Sequence, residues 1–414
     1  MINLYIFNQT SPGAVFGVGT YIRELTAALK GSDINVCVIH LRSEKLDMET
    51  ELLDGIRHWH IPAPTAINLQ QNYEAANERY HRNILYLLQL YIVERKENLI
   101  FHINYMNCKP LADALKSTFD CKSVLVVHYL DSIIALMGNI SRLRRIISQT
   151  DESTNAEDKS VKLFLGKEKE LLQSSSIDKI ICLSNHAYNL LLQDYHIDKE
   201  KIVVIYNGLT DMVDTSAGVR NLRKKWNVPH NEKIILFAGR MDEIKGLGYL
   251  LKAFREVLKI YPKCRLVIAG NGSYDKYTKE SYDICTKITY TGLLEKPQLY
   301  EWYRMADVGV TPSLFEPFGY VTLEMMMHNL PVVATATSGL NEVADDTCGF
   351  KVPLTILPDS VEIDHSLLSQ KICYLLQHPA EARKMGHNGR QRYLKKFSAK
   401  IFRDNMLRFY TGKN

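Results

Sequence analysis

No run of about 18 or more apolar residues occurs in the 414-residue sequence, which excludes a membrane-spanning helix. Residues 1–10 lack a basic n-region, and their apolar stretch is short and runs straight into a glycine-bearing loop. That is unlike a secretory signal and leads us to expect a cytoplasmic protein. None of the eight cysteines forms a CxxC pair, so no zinc or dithiol motif is present, and they read as small buried hydrophobes. A GxGxxG fingerprint is missing too, because the third position after Gly17 and Gly19 is Ile22. That argues against a nicotinamide-dependent oxidoreductase. No Asp-x-Asp occurs to carry a divalent cation, so neither a metal nor another cofactor is expected. A net charge of +5 is too small to call for a nucleic-acid partner. It is unevenly spread, however: residues 371–414 carry eleven Lys/Arg against Glu381 and Asp404, leaving the remainder net acidic. Such a tail suits a solvated pair of helices or a weak peripheral attachment to the anionic inner face of a membrane.

What is present is a globular composition, 46% hydrophobic and 23% charged, on a length that suits two domains. Short β-branched runs at 2–7, 34–39, 99–103, 123–127, 179–183 and 202–206 alternate with amphipathic segments at 21–29, 73–93, 111–117 and 187–192. A second series follows, with strands expected at 233–237, 265–269, 288–290, 308–311, 331–334 and 349–352. Its helices are expected at 246–260, 297–305 and 319–328. Alternation of this kind predicts an α/β fold with two Rossmann-like parallel sheets. The break falls at 208–231, giving domains of 1–210 and 211–395, with 130–175 as a helical insertion in the first. Ligands of such sheets bind beyond the carboxyl ends of the strands, and the unusual residues sit there.

Ser11-Pro12-Gly13-Ala14-Val15-Phe16-Gly17-Val18-Gly19 follows the first strand, and its glycines allow close approach of a phosphate or sugar hydroxyl to a helix start. His128 ends the run Val124-Leu125-Val126-Val127 and is placed to donate a hydrogen bond to a sugar hydroxyl. Phe237-Ala238-Gly239-Arg240, with Lys245 five residues on, offers a fork and a point charge to a diphosphate. The most specific signal is Glu316-Pro317-Phe318-Gly319-Tyr320-Val321-Thr322-Leu323-Glu324. Backbone amides of Phe318, Gly319, Tyr320 and Val321 at a helix start can hold a phosphate. A carboxylate on each side suits the paired hydroxyls of a hexose and a ribose, as found in a sugar nucleotide.

In the order of these pieces the chain resembles the family-4 glycosyltransferases, retaining enzymes of the GT-B architecture marked by Glu, seven residues, then Glu. Leu266-Val267-Ile268-Ala269-Gly270-Asn271-Gly272, Thr291-Gly292-Leu293-Leu294, Ala306-Asp307-Val308, Leu330-Pro331-Val332-Val333-Ala334-Thr335 and Gly339-Leu340-Asn341-Glu342-Val343 extend the match. The resemblance implies that Arg240 and Lys245 grip the donor diphosphate, Glu324 the ribose and Glu316 the transferred sugar. It implies that Gly319 and Tyr320 present amides to the distal phosphate, with Gly17 and Gly19 closing from the opposite domain. Gly270, Asn271 and Leu294 would form the nucleobase pocket, and His128 would touch the donor sugar. Tyr129 stands where the family often has aspartate, the acid being displaced to Asp131; Leu209-Thr210 replaces a usual valine–aspartate. A last helix, about 396–414 and opened by Ser398, would cross back to the first domain.

The expected activity is therefore metal-independent transfer from a UDP- or GDP-sugar to an unknown acceptor hydroxyl on a glycan, glycolipid or other glycoconjugate. Neither glutamate is free to act as a nucleophile, so the resemblance implies front-face substitution in which the departing phosphate takes the acceptor's proton. The alternatives are a glycoside phosphorylase or epimerase-like enzyme on the same scaffold, and a non-catalytic sugar-nucleotide binding protein.

Overall fold

In a computed structural model, residues 1–9, 17–64, 73–92, 98–149 and 155–412 are described. They carry two main sheets and divide into two compact units. The loop 11–16 lies outside the described residues.

The first unit comprises Met1–Asp131, Ala156–Gly208 and Phe402–Asn414. Its strands are β1 (Ile2–Gln9), β2 (Ile34–Ser43), β3 (Glu49–Leu53), β4 (Ile56–Pro62), β5 (Leu99–Ile103), β6 (Lys122–Val127), β7 (Lys179–Cys182) and β8 (Ile202–Val204). They pair in the order β3-β4-β2-β1-β5-β6-β7-β8, all parallel except β3 against β4. The central strands are covered on both faces, which is why they read as unbroken apolar runs: Leu4, Ile6, Phe7, Phe101 and Ile103 are fully buried. The β3–β4 hairpin is absent from the strand pattern read from the sequence, because β3 is an exposed edge strand with no apolar alternation. Its turn was nevertheless written there: Asp54 and Gly55 have φ of 51° and 82°, the pair of left-handed residues that a two-residue hairpin needs.

The second unit comprises Ser132–Asn155 and Leu209–Ile401. It holds β9 (Lys233–Ala238), β10 (Cys264–Ala269), β11 (Ile288–Gly292), β12 (Val308–Thr311), β13 (Val332–Thr335) and β14 (Gly349–Val352) in the order β11-β10-β9-β12-β13-β14, all parallel. A small antiparallel pair, β15 (Leu354–Ile356) and β16 (Val361–Ile363), follows. Helix Leu247–Ile260 buries Leu247, Leu250, Leu251, Phe254 and Val257, a 3.6-residue stripe, in a core shared with Phe237, Leu266 and Ile268.

Residues 132–155 group with the second unit rather than forming an insertion in the first, for a local reason. The Asn139 Oδ1 caps helix Ile140–Ser148 by accepting from Arg142 N, while its Nδ2 donates to the carbonyls of Leu357 and Ser360. Arg145 donates to Asp359 Oδ1 at 2.5 Å, and Gly138, at φ 84°, lies so close to Phe315 that a Cβ there would sit 2.8 Å from the Phe315 Cβ. The part of the final helix, Ala399–Thr411, that belongs to the first unit, from Phe402 on, is tied down there by Arg403 on the Ala28 carbonyl and by Tyr410 Oη on His102 Nδ1 at 2.8 Å. All eight cysteines are free; seven are buried and Cys285 is exposed, which departs from the uniform burial expected. No helix among the described residues is long and apolar enough to cross a membrane.

Candidate functional site

In the second unit the loops after β9, β10 and β11 are stitched together by main-chain hydrogen bonds. Gly239 N donates to Ala269 O, Met241 N to Asn271 O, Ser273 N to Met241 O and Gly270 N to Gly292 O, all between 2.7 and 2.9 Å. The glycines are there for space: at Gly270 (φ 153°) a Cβ would lie 1.8 Å from Gly239 O, closer than any side chain allows. Asn271 is exposed and Leu294 half-buried at this edge.

Arg240 leaves β9 through Gly239 and is 43% exposed, with Nη2 2.8 Å from Asp242 Oδ2. Asp242 also caps the short turn Glu243–Lys245 by accepting from Lys245 N. Lys245 Nζ lies 2.5 Å from Glu316 Oε2, both side chains being about four-fifths buried. Glu316 is held from behind as well: its amide donates to Ser338 Oγ at 3.1 Å, and its carbonyl accepts from Ser338 Oγ and Gly339 N. The following turn passes through Gly319 (φ 108°) into helix Tyr320–Met327, whose N-terminus has no side-chain cap. Tyr320 and Val321 are half-buried there, while Phe318 is packed in the core.

Glu324 is the surprise. Its side chain is fully buried, with Oε1 paired to Lys296 and Oε2 accepting from Tyr303 Oη at 2.9 Å. The expectation of a carboxylate ready for hydroxyls therefore meets one whose two oxygens are both occupied. Each glutamate of the pair thus has its own lysine. Lys296 and Tyr303 were not singled out from the sequence, since a lysine at the start of helix Lys296–Met305 looks like any solvated residue. Burial has a side effect on Tyr303, whose hydroxyl is pushed well above its usual pKa, first by desolvation and then by the Glu324 charge. Among the described residues no group of three or more His, Cys, Asp or Glu is arranged to hold a metal ion.

In the first unit His128 follows β6 and is 9% exposed. Its Nε2 meets Asn104 Oδ1 at 3.0 Å, while Asn104 Nδ2 donates to Phe7 O. That second bond fixes the Asn104 oxygen as an acceptor, so Nε2 carries the proton. Burial lowers the His128 pKa to about 3, keeping the ring neutral. The proton expected for a sugar hydroxyl is thus committed to Asn104, and Nδ1 is the unprotonated nitrogen. His102 next to it, its pKa also lowered to about 3 by burial, bridges the hydroxyls of Tyr21 and Tyr410. Asp131 opens the short helix Asp131–Ala135, and burial raises its pKa. Gly17 begins helix Gly17–Leu29 and is exposed; Gly19 is half-buried in its first turn.

Two family models match the chain: "Glycosyltransferase Family 4" over residues 15–211 and "Glycosyl transferases group 1" over residues 219–392. An uncharacterized glycosyltransferase of Methanocaldococcus jannaschii is 33% identical over 184 residues, 42% of this chain and 46% of that protein. The chain spans about half the length of the curated relatives it matches. Sucrose-phosphate synthase from Thermosynechococcus elongatus has a similar fold, with a TM-score of 0.77 at 21% identity over 100% of this chain and 99% of that one. Anabaena HepE in complex with UDP and glucose gives a TM-score of 0.71 at 14% identity, covering 100% of both chains. At these identities the likeness is one of GT-B fold.

Proposed function

Because this chain belongs to the group 1, family 4 glycosyltransferases, we propose that it transfers a sugar from a UDP- or GDP-sugar to an acceptor hydroxyl with retention and without a metal ion. The observation that carries the reading is the Lys245–Glu316 pair beside the uncapped N-terminus of helix Tyr320–Met327. A carboxylate neutralised by a lysine is a poor hydroxyl acceptor until the lysine finds another anion. The donor diphosphate supplies it: Lys245 and Arg240 turn to the phosphates, and Glu316 is released to accept from the transferred sugar. At the same time the helix amides face the distal phosphate. The anomeric C–O bond to phosphate then breaks as the acceptor oxygen bonds to the same face of that carbon. The departing phosphate oxygen takes the acceptor's proton. In this reading the ribose hydroxyls replace the Lys296 ammonium on Glu324, leaving Tyr303 in place.

The test is titration of the full chain with UDP-glucose, a GDP-hexose, UDP and NADH, followed by thermal shift with and without EDTA. A nucleoside diphosphate sugar should raise the midpoint by mass action, undiminished by the chelator. Failure of every sugar nucleotide, or binding rescued only by added magnesium, would overturn the reading. The weak peripheral membrane attachment belongs to the same proposal. Arg383, Lys384, Lys395, Lys396 and Lys400 are exposed with Leu394 among them, while Arg390 and Arg392 are spent on Asp211 and Asp345. Sedimentation with anionic vesicles should exceed that with neutral ones at low salt and fade as salt rises.

A further inference from the structure

Within the second unit, ahead of the amino ends of β9 and β12, the surface is hollowed into an open concavity of about 540 Å³. That lies inside the range of whole-ligand sites, about 300–1,000 Å³. Helix Val219–Lys225 forms one wall and residues 227–230 the other. The loops assigned to the donor leave the opposite, carboxyl ends of the same strands. Six-residue β9 alone sets about 20 Å between the two places, so the concavity is no part of the donor site.

Arg223 shapes it. The residue is 8% exposed, and its guanidinium donates to the carbonyls of Pro229 and Glu232, ahead of β9, and of Met305, ahead of β12, at 2.8–3.2 Å. Helix and loop are thereby fixed against the sheet, and Asn227 turns the chain between them with a left-handed φ of 52°. Arg220, Arg223, Lys224 and Asn227 recur at i, i+3, i+4 and i+7, the spacing of one helix face. The cations around them are matched: Arg223 and Lys233 with Asp307, and Lys225 with Glu301. Arg220 and Lys224 are not. Both are exposed, neither has a carboxylate partner among the described residues, and at i, i+4 they repel each other. No acid lines the concavity, so two unspent positive charges border one hollow.

A phosphate monoester carries about −1.5 to −2 at neutral pH, the charge that two such cations match. Its oxygens suit a guanidinium fork beside an ammonium point charge, whereas a lone carboxylate leaves one cation unmet. Asn221, Asn227 and His230, all exposed, add the carboxamides and imidazole that sugar hydroxyls can meet. Inorganic phosphate, a few times the size of a water at about 30 Å³, leaves most of the space unused.

We propose that this concavity binds a phosphorylated sugar, with Arg220 and Lys224 on the phosphate and Asn221, Asn227 and His230 on the hydroxyls. The proposal does not rest on the transferase reading. Titration calorimetry of the full chain with glucose 6-phosphate, glucose and inorganic phosphate tests it, alone and with saturating UDP. Glucose 6-phosphate should bind at least about tenfold more tightly than glucose or inorganic phosphate, and UDP should leave its affinity unchanged. The double variant Arg220→Gln, Lys224→Gln should weaken it about tenfold or more. Its thermal midpoint and UDP affinity should hold, because neither side chain has a partner in the fold. His230→Ala should lower affinity for the sugar phosphate and leave that for inorganic phosphate as it was. The proposal is overturned if glucose 6-phosphate does not bind, if UDP displaces it, if inorganic phosphate binds as tightly, or if the double variant binds like wild type.

Discussion

The strand ends of the two sheets are shaped by different means. Around β9, β10, β11 and β12 the strand ends are shaped by backbone: Gly239, Gly270, Gly272, Gly292 and Gly319 all have positive φ, and main-chain bonds join the loops after β9, β10 and β11. Around β2, β5 and β6 the strand ends are shaped by side chains: the half-buried Arg42 and the buried His81, His102, Asn104, Tyr105 and His128. A backbone-built edge tolerates few residue types and keeps its form when protonation changes. A side-chain-built edge tolerates more substitution but depends on imidazoles staying neutral in a desolvated setting.

The largest effect expected from that contrast is at Gly270. With φ at 153° and Gly239 O 1.8 Å from any added Cβ, Gly270→Ala must move the stitched loops apart. A loss of about 4 kcal/mol or more is expected, the range reserved for strained or overpacked sites. Chemical denaturation resolved by hydrogen exchange checks it: the second unit should melt early while the first keeps its protection. A variant as stable as wild type would show that the backbone edge is not rigid.

Acid should act the other way round. In the first unit burial lowers His40 and His81 to about 4 and His102 and His128 to about 3, against about 6.5 when unfolded. Between those values the unfolded chain binds more protons, so stability is full above about pH 6.5 and is lost as pH falls through the window to about 3–4. Each imidazole contributes at most about 1.4 kcal/mol per pH unit. In the second unit burial also lowers the pKa of His328. Hydrogen exchange between pH 7 and 4.5 should therefore show the first unit opening first. Equal acid sensitivity in both units would break the comparison.

This contrast also explains what could be seen in the sequence. The α/β class and the strand–helix series were legible because buried parallel strands are unbroken apolar runs, and the backbone-built edge because glycines and Glu316-Pro317-Phe318-Gly319 leave a spacing. The β3–β4 hairpin was written only in Asp54-Gly55, since an exposed edge strand has no apolar alternation. Arg42 and Lys296 were invisible: nothing in a sequence says that an arginine will adopt left-handed φ, or which lysine will reach a buried Glu324. His128 was legible as a strand-end residue, but its partner Asn104, 24 positions earlier, was not.

Glu316→Gln comes next in size, and it separates chemistry from architecture. Glu316 is 18% exposed and its backbone, not its carboxylate, carries the bonds to Ser338, so the fold should survive. If it holds the reacting sugar, transfer should fall roughly a hundredfold or more, about 2–4 kcal/mol of transition-state stabilisation. Single-turnover measurement at saturating donor is the check, and near-normal rates would remove Glu316 from the site.

The smallest effect is expected at Gly17, where the two kinds of edge can be told apart most finely. Unlike Gly270, an alanine Cβ here would meet nothing within 4 Å among the described residues, and the residue opens a helix rather than crossing a neighbouring strand end. Gly17→Ala should thus change stability by no more than about 1 kcal/mol, in the stabilising direction, by restricting the unfolded chain. The space at Gly17 is then not required by the protein itself. If it is required by the donor, as the family resemblance implies, the donor KM should rise while kcat and the thermal midpoint hold. Should KM also stay put, Gly17 has no part in binding, and the glycine-shaped recognition of the donor belongs to the second unit alone.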